Sequence, residues 1–252
     1  MDEVGKPNLS RIYRGAYDYT RNDSTFSEET YEVYKHNREY THNFISQTLS
    51  RVPTGELLKI TVDYTFSKDW LPLTISIIKS LGNQSVEEKF SFNNKNNLLT
   101  YEFIPKDGKP TVEEIPMPPK FHIATPCTAA SMAFLKSKKF DQTSDNQYVI
   151  YSSNNMWKYK ETLVSKNIGV RRISVTSDTI KYQGKELQGF QYEMYDVEDK
   201  EREMKKKKHE VKEKVPMLSV FLSKHLTIPY IVEDTATKTE VSVRYLNDLN
   251  DD

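Results

Sequence analysis

The stretch LLKITVDYTF, Leu57–Phe66, decides the fold class. Leu58, Ile60, Val62, Tyr64 and Phe66 fall on one side of an extended chain, and Lys59, Thr61, Asp63 and Thr65 fall on the other. Side chains alternate sides along a strand, so a period of two gives one apolar and one polar face. A helix would spread the same residues around its circumference. The stretch therefore predicts a strand of an antiparallel sheet with one face on a core and the other in water.

Outward from it, the same alternation predicts strands over Arg11–Thr20, Thr30–His36, Tyr40–Leu49, Leu73–Lys79, Val86–Phe92 and Leu98–Ile104. Asn22-Asp23-Ser24, Pro53-Thr54-Gly55, Gly82-Asn83 and the polar run Asn93–Asn97 supply turns between them. Five prolines in Pro105–Pro119 remove ladder donors, which predicts a crossover. After it, Thr125 as N-cap, Pro126 at the first helical position and CTAASMAFLKSKKF with its basic end predict one short helix.

Strands resume at Gln147–Tyr151, Met156–Thr162, Ile168–Thr176, Thr179–Gln183 and Glu186–Tyr195, with a tight turn at Gly184-Lys185. The charged excursion Asp199–Lys214 follows, and Met217–Leu222, Ile228–Glu233 and Thr239–Leu246 return to strand. The fold class is mainly β: an antiparallel barrel, or two packed or curved half-barrel sheets, with one short helix after a Pro-rich crossover. Residues 1–104 form an N-terminal half, 105–146 the crossover and helix, and 147–252 a C-terminal half that carries the excursion 199–214.

Composition narrows the function classes. The 252 residues hold 36 basic and 36 acidic side chains, so no global field draws in nucleic acid, and no nucleic-acid partner is expected. The 16 Tyr and 11 Phe against only 8 Gly suit a pleated, half-buried surface. A single cysteine, Cys127, leaves no internal disulfide and keeps the redox compartment open. No stretch approaches the roughly 20 apolar residues of a membrane helix, and MDEVGKPNLSR carries no hydrophobic signal core, which predicts a soluble chain. Lys205–Lys208 is the one run of cations suited to a weak contact with a membrane surface.

One internal echo stands out. YTFSKDWLPLTISI at 64–77, followed by EEKFSF at 87–92, matches VFLSKHLTIPYIVE at 220–233, followed by TEVSVRYL at 239–246. Each reads strand, Ser-Lys, apolar residue, Pro, strand, hairpin, strand, as two related β halves would. The second copy, with its closing hairpin ending in VRYLNDL, resembles the C-terminal part of bacterial β proteins of the DUF3108 and lipoprotein-carrier-like (LolA-like) group. The resemblance covers about a quarter of the chain. It implies an exported protein with a curved sheet around a hydrophobic cavity, periplasmic once a leader is removed; without it the expected compartment is the cytoplasm. It supplies no catalytic residue.

The candidate catalytic groups are few. Cys127 near a helix N-terminus would have a lowered pKa, with His122 five residues upstream as a base, against the alternative of a small buried hydrophobe. His36 and His42 flank a turn and would face each other across a hairpin, with Glu28, Glu29 and Glu32 nearby, against the alternative of a polar sheet face. No metal-ligand motif is present, and neither metal nor cofactor is expected.

Rings at strand spacing are the most suggestive feature. Tyr17, Tyr19, Tyr64, Phe66, Tyr101, Trp157, Tyr159 and Tyr192 would line a ligand cavity or else fill a core. The expected function is non-catalytic binding of a lipophilic or amphipathic small molecule. The alternative is a cofactor-independent isomerase, cyclase or hydrolase using Tyr, His and Glu in the same pocket.

Overall fold

The computed structural model describes residues 9–137, 139–182, 184–197, 217–224 and 227–249. The run Asp199–Lys214, including Lys205–Lys208, lies outside them. Sixteen strands follow in order: β1 (Leu9–Arg21), β2 (Ser24–His36), β3 (Thr41–Arg51), β4 (Leu57–Phe66), β5 (Pro72–Leu81), β6 (Gln84–Asn93), β7 (Leu98–Pro105), β8 (Thr111–Pro116), β9 (Phe121–Ile123), β10 (Asn146–Ser152), β11 (Val164–Arg172), β12 (Asp178–Tyr182), β13 (Lys185–Asp196), β14 (Leu218–Ser223), β15 (Pro229–Asp234) and β16 (Thr239–Asp248).

They form one sheet in the order β8-β7-β6-β5-β4-β3-β2-β1-β16-β15-β14-β13-β11-β10-β9, with β12 paired to β13 off that path. All neighbours are antiparallel except β9 and β10, which run parallel. The mainly β fold class with a short helical segment after the Pro-rich stretch is what the alternation predicted.

The sheet is open between its two ends, β8 and β9, yet only Met117–Lys120 separates those strands in the chain. A flat path of this length would put its edges roughly 65 Å apart at about 4.8 Å per strand. Four connecting residues reach about 18 Å at most. The sheet must therefore curl until its edges nearly meet, and a covalent bridge stands where a closed barrel would have a ladder.

Inside the curl lies a packed core. Tyr17, Val62, Tyr64, Phe66, Leu99, Tyr101 and Phe103 from the strands are at most 1% exposed, and they pack with Phe121, Ile123, Cys127, Ala129 and Ala133 from the chain after β8. This chain enters the concave face of the first seven strands: Phe121 meets Phe92 at 4.9 Å between ring centroids, and Tyr64 Oη donates to the Ile123 carbonyl at 3.3 Å. A second cluster, including Phe134, Tyr148, Val170, Tyr192 and Val220, fills the space under β10–β14.

Four features depart from the sequence reading. Within the proline-rich stretch, Thr111–Pro116 is a strand; its only partner is β7, so a missing proline N–H on the outer side breaks no ladder. The helical segment is two 3-10 turns, Thr128–Ala130 and Ala133–Lys136, and Thr125 caps neither. The Thr128 N–H is instead capped in trans by the Glu29 carboxylate, at 3.1 and 3.0 Å to its two oxygens. Met156–Thr162 is irregular rather than a strand, folded around the buried Asn155 side chain, which bonds the Lys160 and Glu161 backbones.

The fourth departure concerns His36 and His42, which do not face each other. His36 is opposite Thr41, and His42 is opposite Lys35, so the two imidazoles emerge on opposite faces.

The turns match the expected chemistry. Asn22 and Asp23 adopt φ of 50° and 61°, the left-handed pair of a two-residue hairpin, and Gly184 has φ of 76°. The internal echo also has a structural counterpart. In both hairpins the proline opens the second strand, and a register shift lies beside it: Phe66 is opposite Pro72, and Leu222 is opposite Pro229.

Candidate functional site

The rings expected to line a cavity are mostly engaged with protein. Tyr17 Oη donates to the Pro229 carbonyl at 2.8 Å, Tyr19 Oη to Glu29 at 2.6 Å, and Tyr101 Oη to Glu88 at 2.7 Å. Tyr64 and Phe66 stack at 4.1 Å beneath the chain after β8. Half-buried Tyr159 packs on Phe103, and half-buried Trp157 lies on the edge of the same core. Tyr192 belongs to the second cluster, 6.2 Å from Phe140.

Two groups of titratable residues meet inside. Glu29, fully buried, accepts from Tyr19 and from the Thr128 backbone; burial pushes its pKa up, and those hydrogen bonds pull it partly back. Cys127 sits beside it, also fully buried, and its thiol is pushed up by burial first and by Glu29 second. The helix-terminus expectation of a lowered pKa is reversed, because desolvation outweighs the dipole of a single 3-10 turn. In the second group Lys79 pairs with Glu88, and Tyr101 and Ser153 complete the set. Glu29 and Glu88 are both fully buried, so neither carboxylate reaches solvent.

His122 is likewise enclosed, among Tyr64, Phe66 and Phe134 at 5.9, 6.3 and 5.0 Å between ring centroids. Burial pushes its pKa down to about 3. Among the described residues no hydrogen bond joins His122 to Cys127. His36 borders a shallow groove of about 610 Å³ on the outer face, where Asn43 is bonded to Asp63 and Thr65. Asn43, Asp63 and Thr65 satisfy one another there, and volume alone does not make the groove a site.

His42 is different. It lines a cleft of about 150 Å³ whose walls are Ile12, Tyr13, Val33, Phe44, Trp70 and Ile228, with Lys35, Lys136 and Thr227 at its polar parts. The imidazole stacks on the Trp70 indole at 4.4 Å and 18°, and the Lys136 ammonium lies 5.1 Å over the same indole. His42 Nδ1 is buried and has no hydrogen-bond partner. Desolvation, then the charges of Lys136 and Lys35, push its pKa down to about 4, so at neutral pH the ring is uncharged. Lys136 is exposed at the rim of the cleft, and partial burial of its ammonium lowers its pKa from the usual lysine value.

The turn that presents Trp70 is unusual. Trp70 has φ of 61°, a left-handed conformation that costs a bulky residue about 1–2 kcal/mol. It is held there by Ser67, whose Oγ accepts from the Asp69 and Leu71 backbones at 3.2 and 3.1 Å, while the Trp70 N–H donates to the Ser67 carbonyl at 3.0 Å. Thr227 and Ile228 come from the second stretch that carries the Ser-Lys…Pro pattern, so the cleft lies between the two hairpins with that pattern. Sequence reasoning found His42 and the echo. It missed Trp70, Lys35 and Lys136, and the SKDW turn was the one available signal.

No family model matches the chain, and no curated protein matches it. A solved structure does: a β-barrel-like protein of a domain of unknown function, DUF1849, from Brucella abortus, with TM-score 0.54 and 11% identity over 95% of this chain and 98% of that one. The chain has a β-barrel-like fold. The likeness covers nearly the whole of both chains, so it concerns the overall fold and not one hairpin.

Proposed function

We propose that this protein is a non-catalytic binder of a lipophilic or amphipathic small molecule, received at the cleft between the two echoing hairpins. The observation that carries the reading is an aromatic-walled cleft whose wall includes an imidazole with one ring nitrogen that has no protein partner. Buried polar atoms are nearly always paired, and an orphan in the wall of a cleft marks a place where a small shift of the ring admits a ligand atom or water. The strained Trp70 backbone supports it, because such strain persists where the surroundings require one orientation.

The DUF3108 and lipoprotein-carrier-like kinship belongs to the same proposal, as do the periplasmic compartment it implies and a weak membrane contact through Lys205–Lys208. The enzymatic alternative has less support: the described groups in which acid and base converge are buried, and His42 faces lysines, not a carboxylate.

Trp70 and Trp157 are the only tryptophans, so a Trp157→Phe variant reports on the cleft alone. Titration with lipid-like probes, charged and neutral, should shift or quench Trp70 emission saturably. Emission unchanged across the series would sink the proposal.

A further inference from the structure

The cleft is cationic on one side and apolar on the other. Lys35 leaves β2 directly opposite His42, and Lys136 ends the second 3-10 turn above Trp70. No carboxylate among the described residues lies within ion-pair distance of either ammonium, although the chain as a whole balances its charges. The other residues lining the cleft contribute aliphatic and aromatic surface, one phenol and one hydroxyl, and no acid. Two like charges lining one small cavity repel each other, and an anion between them relieves that repulsion.

We infer that the cleft is a receptor for a carboxylate head group carried on an apolar body, with Lys35 and Lys136 holding the carboxylate and Trp70 and Phe44 holding the body. This rests on the binding reading above and deepens it. The cavity of about 150 Å³ is large enough for the head and the first part of a chain or ring, with the remainder leaving through the open side.

The test uses the full chain carrying Trp157→Phe, titrated with decanoate and with 1-decanol, which share a ten-carbon body and differ in charge. Decanoate should bind at least about tenfold more tightly than decanol, and its affinity should fall with added salt while decanol's stays level. Lys35→Gln and Lys136→Gln should each weaken decanoate roughly fivefold and leave decanol unchanged. Equal binding of both probes, or decanoate binding insensitive to both lysine substitutions, overturns the carboxylate assignment and leaves the binding reading standing. Failure of both probes to bind a folded protein removes the two together. Circular dichroism of each variant separates lost binding from lost structure.

Discussion

The most quantitative consequence of this core is its response to acid. His122 is 3% exposed and surrounded by three aromatic rings, with only a 3.5 Å contact from Nδ1 to Tyr64 Oη as a polar neighbour. Its pKa is pushed down to about 3 from 6.5, so the folded protein disfavours the charged imidazole. The sign follows: the stabilisation is complete above pH 6.5, where both states hold a neutral ring, and is lost as pH falls toward 3. Each unit crossed well below pH 6.5 costs about 1.4 kcal/mol, so descending from pH 7.5 to 4.5 removes about 2–3 kcal/mol through this residue alone.

His122→Phe places an aromatic ring in an aromatic site and deletes the titration. Urea unfolding of both proteins at pH 7.5, 6.5, 5.5 and 4.5 gives the measurement. Half-buried His42, with Lys35, Lys136 and Tyr13 around it, acts in the same direction more weakly, and Glu29 acts in the opposite one. Both are unchanged in the variant and cancel in the difference. The wild type should lose about 2–3 kcal/mol more than the variant between pH 7.5 and 4.5; parallel stability profiles would refute a neutral, desolvated His122.

Other perturbations probe other parts of the molecule. Lys79→Met leaves the Glu88 carboxylate buried without its cation and should cost about 3–5 kcal/mol by chemical denaturation, while Lys79→Met with Glu88→Leu should recover most of it; a single variant within 1 kcal/mol of wild type would contradict the buried pair. At Gly189 an added Cβ would lie 2.0 Å from the Leu222 carbonyl oxygen, backbone that cannot step aside, so Gly189→Ala should cost about 3 kcal/mol and lower Tm by several degrees. Cys127 should be inert to a disulfide reagent at pH 8 in the folded protein and react fully once unfolded, because its thiol is buried and its pKa raised; labelling of native protein within minutes would show the site to be open.

Period-two alternation made most of the sheet legible, as in β4, where Val62, Tyr64 and Phe66 are buried and Lys59 and Asp63 exposed. Met156–Thr162 misled because its alternation arises in a loop wrapped around Asn155, a tertiary fact with no local signature. Prolines concealed β8, since the rule against proline in strands weakens at an edge. The predicted N-cap at Thr125 failed because the real cap, Glu29, comes from a strand about a hundred residues away. The cleft was hardest to read. Lys35, Trp70 and Lys136 come from separate elements, and only the curl of the sheet brings them together.

The seam between β1 and β16 also governs how the chain is made. The first eight strands are consecutive hairpins whose contacts are local, whereas Tyr13 meets Asp248 and Arg21 meets Thr239 only after nearly the whole chain exists. Loop closure of that length delays folding, so on the ribosome the N-terminal meander forms while β1 waits without its second neighbour. Until β16 emerges, a thirteen-residue edge bearing Tyr13, Tyr17 and Tyr19 stays open to any other extended chain. The β1 edge is therefore a hazard of the unfinished chain, which pairing with β16 removes.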